Sequence, residues 1–287
     1  MRGTGLPLVT PFDEHEDVDE TALRELVSWV ETAGVDFVVP CGSNSEAALL
    51  SADERRRVVD VVADETDLPV LAGTGHPGLR ATLDATEDAA TAGADAALVV
   101  TPFYHQHDQD TLETYYRDVA DRSPVPVYLY SVPKYTDTRL EPETVSALAS
   151  HENVGGIKDS SGDLETLQRI VSATEKEEFS VLVGSGSVYA AGLDHGADGG
   201  VLALANVVPR LASEIFDYHA DGNHYAARDL NRDLVELNRA ITARFGVPGL
   251  KAAMRHRGKP AGQSRRPLQP VSDQEREEIA LLLDAAI

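Results

Sequence analysis

A single cysteine, Cys41, stands in a chain of 287 residues, so neither a disulfide framework nor a thiolate metal site can be built within one chain. Cys41 follows the apolar run Phe37 to Pro40 and reads as a small buried residue. Positive charge is scarce too: 25 basic residues face 48 acidic ones, for a formal net charge of −23. Nucleic acid and anionic membranes are poor partners for such a chain, because both require a cationic face. No apolar run approaches the ~20 residues that a membrane-spanning helix needs. Met1 to Pro11 lacks the charged-then-apolar layout of a signal peptide, so a soluble, cytoplasmic protein is expected. The acidic residues are spread along the chain rather than massed in a tail, the surface pattern of a halophilic protein. Lysine is confined to Lys134, Lys158, Lys176, Lys251 and Lys259, and each therefore needs its own explanation.

With 42% of its residues hydrophobic, the chain can bury one sizeable core. Short runs rich in Val, Leu and Ala recur, each ending in Gly, Pro, Ser or Thr and each followed by a charged amphipathic stretch. The runs are Gly5 to Thr10, Phe37 to Cys41, Pro69 to Gly73, Ala96 to Thr101, Val125 to Tyr130, Val154 to Lys158, Ser180 to Gly184 and Gly199 to Ala205. Helical stretches alternate with them, the first from Glu20 to Ala33 with Leu23, Leu26, Val27 and Val30 on one face. Runs apolar throughout belong to strands buried on both faces, and eight of them predict an α/β fold, a (β/α)8 TIM barrel over residues 1–221. A doubly wound sheet is the structural alternative, weakened by the lack of a G-x-G-x-x-G after the first strand. Helical stretches near Tyr225 to Phe245, Gly249 to Arg257 and Ser272 to Ala286 predict a C-terminal helical extension over residues 222–287, packed on the barrel.

Active sites of such barrels lie at the C-terminal ends of the strands. Lys158, a cation closing the apolar run from Val154, stands out there, because burial in a barrel mouth disfavours its charged form and frees the amine to attack a carbonyl. The competing reading is a structural lysine paired with a neighbouring carboxylate such as Asp159. The other four lysines fall in helical or loop stretches and read as solvated, with Lys134 close enough to the fifth strand to reach a substrate. Tyr130 closes that strand, and its phenol can relay protons or simply pack. Gly42 to Glu46 (GSNSE) joins the second strand to a helix and offers N–H groups and hydroxyls to an anion, or else a helix cap. His105, His107, Asp108 and Asp110 form a polar loop cluster without the convergence of a catalytic metal site, and no metal is expected.

These motifs together resemble the family of pyruvate-dependent class I aldolases and lyases that includes dihydrodipicolinate synthase, N-acetylneuraminate lyase, 2-keto-3-deoxygluconate aldolase and 4-hydroxy-2-oxoglutarate aldolase. The resemblance runs through Leu8 to Phe12 (LVTPF), Gly42 to Glu46, Val100 to Tyr104 (VTPFY), Tyr130 to Pro133 (YSVP), Gly156 to Ser160 (GIKDS) and Gly200 to Asn206 (GVLALAN). It implies that Lys158 forms a Schiff base with a 2-keto acid, that Tyr130 is proton donor and acceptor, and that Tyr104 is a relay tyrosine supplied to a neighbouring subunit. It further implies that Ser43 and Asn44 bind the pyruvyl carboxylate and continue the relay, that Val201 contacts pyruvate, that no cofactor is needed, and that the protein is a homotetramer built from dimers. Asn44 and Ser45 depart from the family's usual Thr-Gly. Tyr135 stands where dihydrodipicolinate synthases carry a carboxylate-binding arginine.

The stretch from Ala240 to Lys251 (AITARFGVPGLK), with Arg266 to Leu268 beyond it, is most similar to the 2-keto-3-deoxygluconate-type and 4-hydroxy-2-oxoglutarate aldolases. The reaction expected first is therefore cleavage of a 2-keto-3-deoxy sugar acid, phosphorylated or not, to pyruvate and an aldehyde, a step of carbohydrate metabolism. The alternatives are 4-hydroxy-2-oxoglutarate cleavage, a dihydrodipicolinate synthase-type condensation or keto-deoxy-sugar dehydration, and a non-catalytic keto-acid-binding barrel. A phosphate or second carboxylate on the substrate would need a cation near the mouth, for which Lys134 and Arg139 are nearest in sequence.

Overall fold

The computed structural model describes residues 1–287. The order is β1 (Gly3–Leu6), α1 (Glu20–Thr32), β2 (Phe37–Val38), α2 (Ala52–Glu65), β3 (Leu71–Gly73), α3 (Leu79–Thr91), β4 (Ala96–Val100), α4 (Gln109–Ala120), β5 (Val127–Ser131), a short α5 (Pro133–Thr136), α6 (Pro142–Ala149), β6 (Val154–Asp159), α7 (Leu164–Thr174), β7 (Ser180–Val183), α8 (Tyr189–Asp194), β8 (Gly199–Val201) and α9 (Pro209–Ala220). All strand pairs are parallel, in the order β2-β1-β8-β7-β6-β5-β4-β3. A bridge between Val38 and Val70 brings the two ends together, giving the expected (β/α)8 barrel. No helix is long and apolar enough to cross a membrane.

Strand alternation sorts the apolar residues into two shells. Phe37, Leu71, Leu98, Tyr128, Tyr130, Leu182 and Val201 fill the barrel interior. Val127, Leu129 and Ile157, one residue out of phase, join the larger core between barrel and helices. The interior is tight enough to require glycine at Gly5, where a Cβ would come within 2.2 Å of the Phe37 ring. Side-chain caps set the helix starts. Asp19, Asp108 and Asp163 accept first-turn N–H groups, and Ser51 with Glu54 closes a capping box on α2.

Several ladders stop short of the apolar runs that announced them. The first run leaves its ladder at Pro7 and the second just before Pro40, both lacking an N–H, while the eighth turns into a 3-10 turn over Ala203–Asn206. Those released residues form the barrel mouth. The helix expected over Tyr225 to Phe245 is also divided, into α10 (His224–Asp233), α11 (Val235–Arg239) and a π-turn over Ala240–Arg244. Within that turn the Thr242 hydroxyl donates to the Asn238 carbonyl at 2.5 Å, and Gly246 at φ 57 closes it. Then follow α12 (Gly246–His256) and α13 (Asp273–Ala286).

Arg265, in the loop before α13, binds Glu54 of α2 at 2.5 and 3.0 Å and lies 4.2 Å over the Phe12 ring. Its guanidinium, together with the Ser51 N–H, outweighs burial and holds the Glu54 carboxyl at about 2. A depressed folded-state value means that this stabilisation is complete above the ordinary 4.5 and is lost as pH falls toward 2. Glu54→Gln should therefore cost on the order of 2 kcal/mol at pH 7, partial exposure considered, with the gap to the parent narrowing by pH 3.5. Urea unfolding at the two pH values checks this; a gap that does not narrow contradicts it.

Candidate active site

The register of β5 on β6 sets Tyr130 beside Lys158, one layer above the pair Tyr128 and Gly156. Both side chains face the barrel interior and are buried, 6% and 5% exposed. The Lys158 Nζ stands 4.3 Å from the centroid of the Tyr130 ring. Asp159, next along the strand, belongs to the opposite face and accepts a hydrogen bond from Ser161 Oγ at 2.6 Å. The pairing of Lys158 with Asp159 that competed with a reactive amine is not formed.

Burial alone would push the Tyr130 phenol up. The charge of Lys158 and hydrogen bonds with Ser43, Ser160 and Lys158 outweigh it, and the phenol lies below its ordinary 10.0. Tyr130 is thereby primed to exchange a proton with a group at the lysine nitrogen.

A cavity of about 200 Å³ opens above this pair, with Ser43, Asn44, Tyr130, Lys158, Ser160 and Val201 in its wall. It continues into a wider groove of about 680 Å³ that shares Ser43, Tyr130, Lys134, Tyr135 and Val247 and adds the apolar Phe103, Pro248 and Leu268. The narrow part suits a small keto acid and the wide part a second, larger reactant. In the turn over residues 42–46, Ser45 and Glu46 donate their N–H groups to Gly42 and Ser43 at 3.2 Å, whereas those of Ser43 and Asn44 donate to nothing within the chain. Free N–H groups beside a lysine are suited to a carboxylate.

Of the six residues singled out in the sequence, five thus converge: Lys158, Tyr130, Ser43, Asn44 and Val201. Tyr104 does not. It lies 91% exposed on the loop after β4, at φ 80, with its ring against His105 and outside both cavities. Ser160 joins the site as well; it lies in the strand-end segment and the GIKDS motif, but no role had been assigned to it. Asn238, Ile241 and Thr242 roof the cavity from the C-terminal helices; Ile241 and Thr242 fall in the stretch Ala240 to Lys251, to which the sequence assigned no place in the site, and no motif marked Asn238.

Of the cations near the mouth, Lys134 lies as expected, whereas Arg139 and Lys251 do not. Lys134 is exposed and donates to the Thr242 carbonyl at 3.4 Å, so it is available to the groove. Arg139, its companion candidate, is held by Asp163 at 3.1 Å and lines neither cavity. Lys251 corrects the expectation of a solvated lysine: it is 0% exposed and pairs with Glu46 at 2.6 Å. Its helix is apolar on nearly every side, with Leu250, Ala252, Ala253 and Met254 all buried.

Cys41 is buried as expected, and burial pushes its thiol up to about 12, which leaves no nucleophile there at neutral pH. The loop histidines do not converge; Asp108 is occupied in capping α4 through the Thr111 N–H at 2.9 Å. A different trio, Asp194, His219 and His224, has donor atoms close enough for an ion. It lies where α8 and α9 end, at the opposite end of the barrel from the mouth, and Arg228 already shares the Asp194 carboxylate at 3.5 Å.

Comparison with known proteins gives a concordant picture. The family model described as the dihydrodipicolinate synthetase family matches residues 1–286. The 4-hydroxy-tetrahydrodipicolinate synthase of Methanothrix thermoacetophila is 39% identical over 274 residues, which cover 96% of this chain and 93% of that one. A DapA-like lyase of Halobacterium salinarum is 39% identical over 278 residues, covering 96% and 91%. Among solved structures, the dihydrodipicolinate synthase of Acinetobacter baumannii complexed with pyruvate superposes with a TM-score of 0.95 at 30% identity, over 99% of this chain and 98% of that one.

The coupling of Tyr130 to Lys158 is directly measurable. The protein has nine tyrosines, and a spectroscopic titration should show one phenol ionising below pH 10. In Lys158→Met that early ionisation should move upward, because burial then acts without the cation. An early ionisation that survives in Lys158→Met would assign it to another tyrosine.

Proposed function

The chain belongs to the dihydrodipicolinate synthetase family of pyruvate-dependent Schiff-base lyases, and from that premise we propose that Lys158 captures pyruvate while Tyr130 moves the protons of carbon–carbon bond formation or cleavage. The observation that carries this reading is a buried lysine without a carboxylate partner, 4.3 Å from a phenol drawn below its ordinary value, in a cavity with free N–H groups. The neutral amine adds to the C2 ketone and water leaves, giving an imine whose protonated form draws electrons from C3. In the cleavage direction Tyr130 takes the proton of the C4 hydroxyl as the C3–C4 bond breaks, an aldehyde departs, and the enamine is protonated at C3 and hydrolysed to pyruvate. Condensation runs the same steps backwards. Ser43 and Asn44 hold the keto-acid carboxylate, and Val201 packs against the pyruvyl methyl group.

The names of the relatives favour condensation, as in 4-hydroxy-tetrahydrodipicolinate synthase, over the sugar-acid cleavage that the sequence ranks first. Cleavage of a 2-keto-3-deoxy sugar acid stands as the second reading on one observation. Tyr135, where such synthases carry arginine, lines the groove, so the site lacks that carboxylate ligand and offers Lys134 instead. Residues 1–221 supply the barrel, and residues 222–287 the extension that roofs its mouth. The exposure of Tyr104 and its left-handed backbone support the reading that it serves a neighbouring subunit in a homotetramer. The net charge of −23 and a relative from Halobacterium salinarum support a high-salt cytoplasm as the setting.

Borohydride reduction in the presence of pyruvate should leave a stable adduct that maps to Lys158 and is absent from Lys158→Ala. An adduct on another lysine sinks the mechanism. Tyr130→Phe should lower turnover by about 10²–10⁴-fold while still accepting pyruvate. Formation of 4-hydroxy-tetrahydrodipicolinate, measured beside cleavage of 2-keto-3-deoxygluconate, its 6-phosphate and 4-hydroxy-2-oxoglutarate, ranks the two readings.

A further inference from the structure

Lys251 lies in the C-terminal helix α12, yet its ammonium is turned to the loops of the barrel mouth and the chain beside them. Its Nζ meets Glu46 Oε1 at 2.6 Å, the Thr10 carbonyl at 2.7 Å and the Gln263 carbonyl at 2.9 Å, in full burial. Two of these contacts, those with Glu46 and Thr10, lead back to the turn over residues 42–46. Glu46 closes that turn at φ 58, donates its N–H to the Ser43 carbonyl at 3.2 Å, and accepts the Arg265 N–H on its other oxygen at 2.8 Å. Thr10 passes the connection on, its hydroxyl donating to the Ser45 carbonyl at 2.8 Å. Ser45 Oγ in turn donates to the Leu8 carbonyl and accepts the Gly42 N–H.

We infer that Lys251 is a positioning residue: through Glu46 and Thr10 it fixes the turn that carries Ser43 and Asn44, and so sets the affinity of the site for the keto-acid carboxylate. This rests on the Schiff-base reading of the pocket. Burying the pair is costly for the fold, since an apolar pair of the same volume often packs as well or better. Burial, only partly offset by Glu46, draws the Lys251 ammonium down to about 8. The return is geometric. A residue with φ near +58 is strained for a side chain as large as glutamate, and a buried carboxylate, paired with Lys251 and bonded by the Arg265 N–H, holds it in that state. The arrangement also makes α12 a shared support, because Gly246 and Val247 at its start line the cavity while Lys251, farther along, contacts Glu46 of the turn that carries Ser43 and Asn44.

Lys251→Met keeps the length of the stem and removes the three donors; Glu46→Gln keeps the shape and removes the charge. In both, amide hydrogen exchange over residues 42–50 should accelerate by about tenfold or more, with peptides from the barrel strands staying within about twofold of the parent. The pyruvate concentration for half-maximal borohydride trapping should rise by about tenfold, with trapping at saturation within about twofold, a split that general damage to the fold would not give. Unchanged exchange in the turn, acceleration spread over the whole barrel, unchanged half-saturation despite a loosened turn, or failure of both variants to fold each overturn the inference. If Lys251→Met alone fails to fold, Glu46→Gln decides. If the parent protein traps no pyruvate, the Schiff-base reading fails by itself, and the exchange measurement still decides whether Lys251 holds the turn.

Discussion

The site depends on the register between two neighbouring strands. Because β5 and β6 are parallel and side chains alternate, the pairing of Tyr130 with Lys158 sends both into the barrel and sends Asp159 to the other face. One residue of slip would exchange lysine for aspartate inside the barrel. The lysine would then be lost from the mouth, and a carboxylate would stand in its place beside the phenol. An ammonium buried without a counter-ion costs several kcal/mol in a protein interior. Here the compensation comes from the Tyr130 ring and the polar cavity wall. The same arrangement that tolerates the charge lowers the phenol, so one contact would make both the nucleophile and the proton carrier of the proposed mechanism.

Around that pair the remaining elements divide the work by distance. The turn after β2 offers unpaired N–H groups to the cavity, β8 contributes Val201 to the wall, and the C-terminal helices close the top with Asn238 and Thr242. Proline and glycine at the strand ends release the chain from the ladders early enough to build this rim. The rim is tied back to the barrel by buried and half-buried ion pairs, Lys251 with Glu46 and Arg265 with Glu54. In a chain with a net charge of −23, cations are few, and these are spent on holding the mouth together.

Where the sequence was legible, the signal was local. All eight strands and the barrel helices follow from apolar runs and caps, and Lys158 and Tyr130 follow from their places at strand ends. The π-turn over residues 240–244 was not legible, since it depends on a threonine hydroxyl competing for a helix carbonyl. The roofing residues were hidden for another reason, because their contact with the mouth spans more than a hundred positions in the chain. Lys251 is the instructive error. A lone lysine flanked by Leu250, Ala252, Ala253 and Met254 carried the signal that made Lys158 conspicuous, an isolated charge in an apolar run, but on a helix it was read as solvated. Ser160 shows the same logic in reverse, since it follows Lys158 by one strand repeat and reaches the phenol that Lys158 polarises. The aldehyde half of the chemistry stayed unread because the residues lining the groove, Tyr135 and Lys134 among them, form no motif that names a second reactant.

The account stands on a covalent bond between Lys158 and a keto acid, and a crystal structure of the protein soaked with pyruvate tests that most directly. Continuous density should join the Lys158 Nζ to C2, with the carboxylate against the N–H groups of Ser43 and Asn44 and the Tyr130 hydroxyl near the imine. Pyruvate bound elsewhere, or seated in the cavity with Lys158 unmodified and turned away, would contradict it.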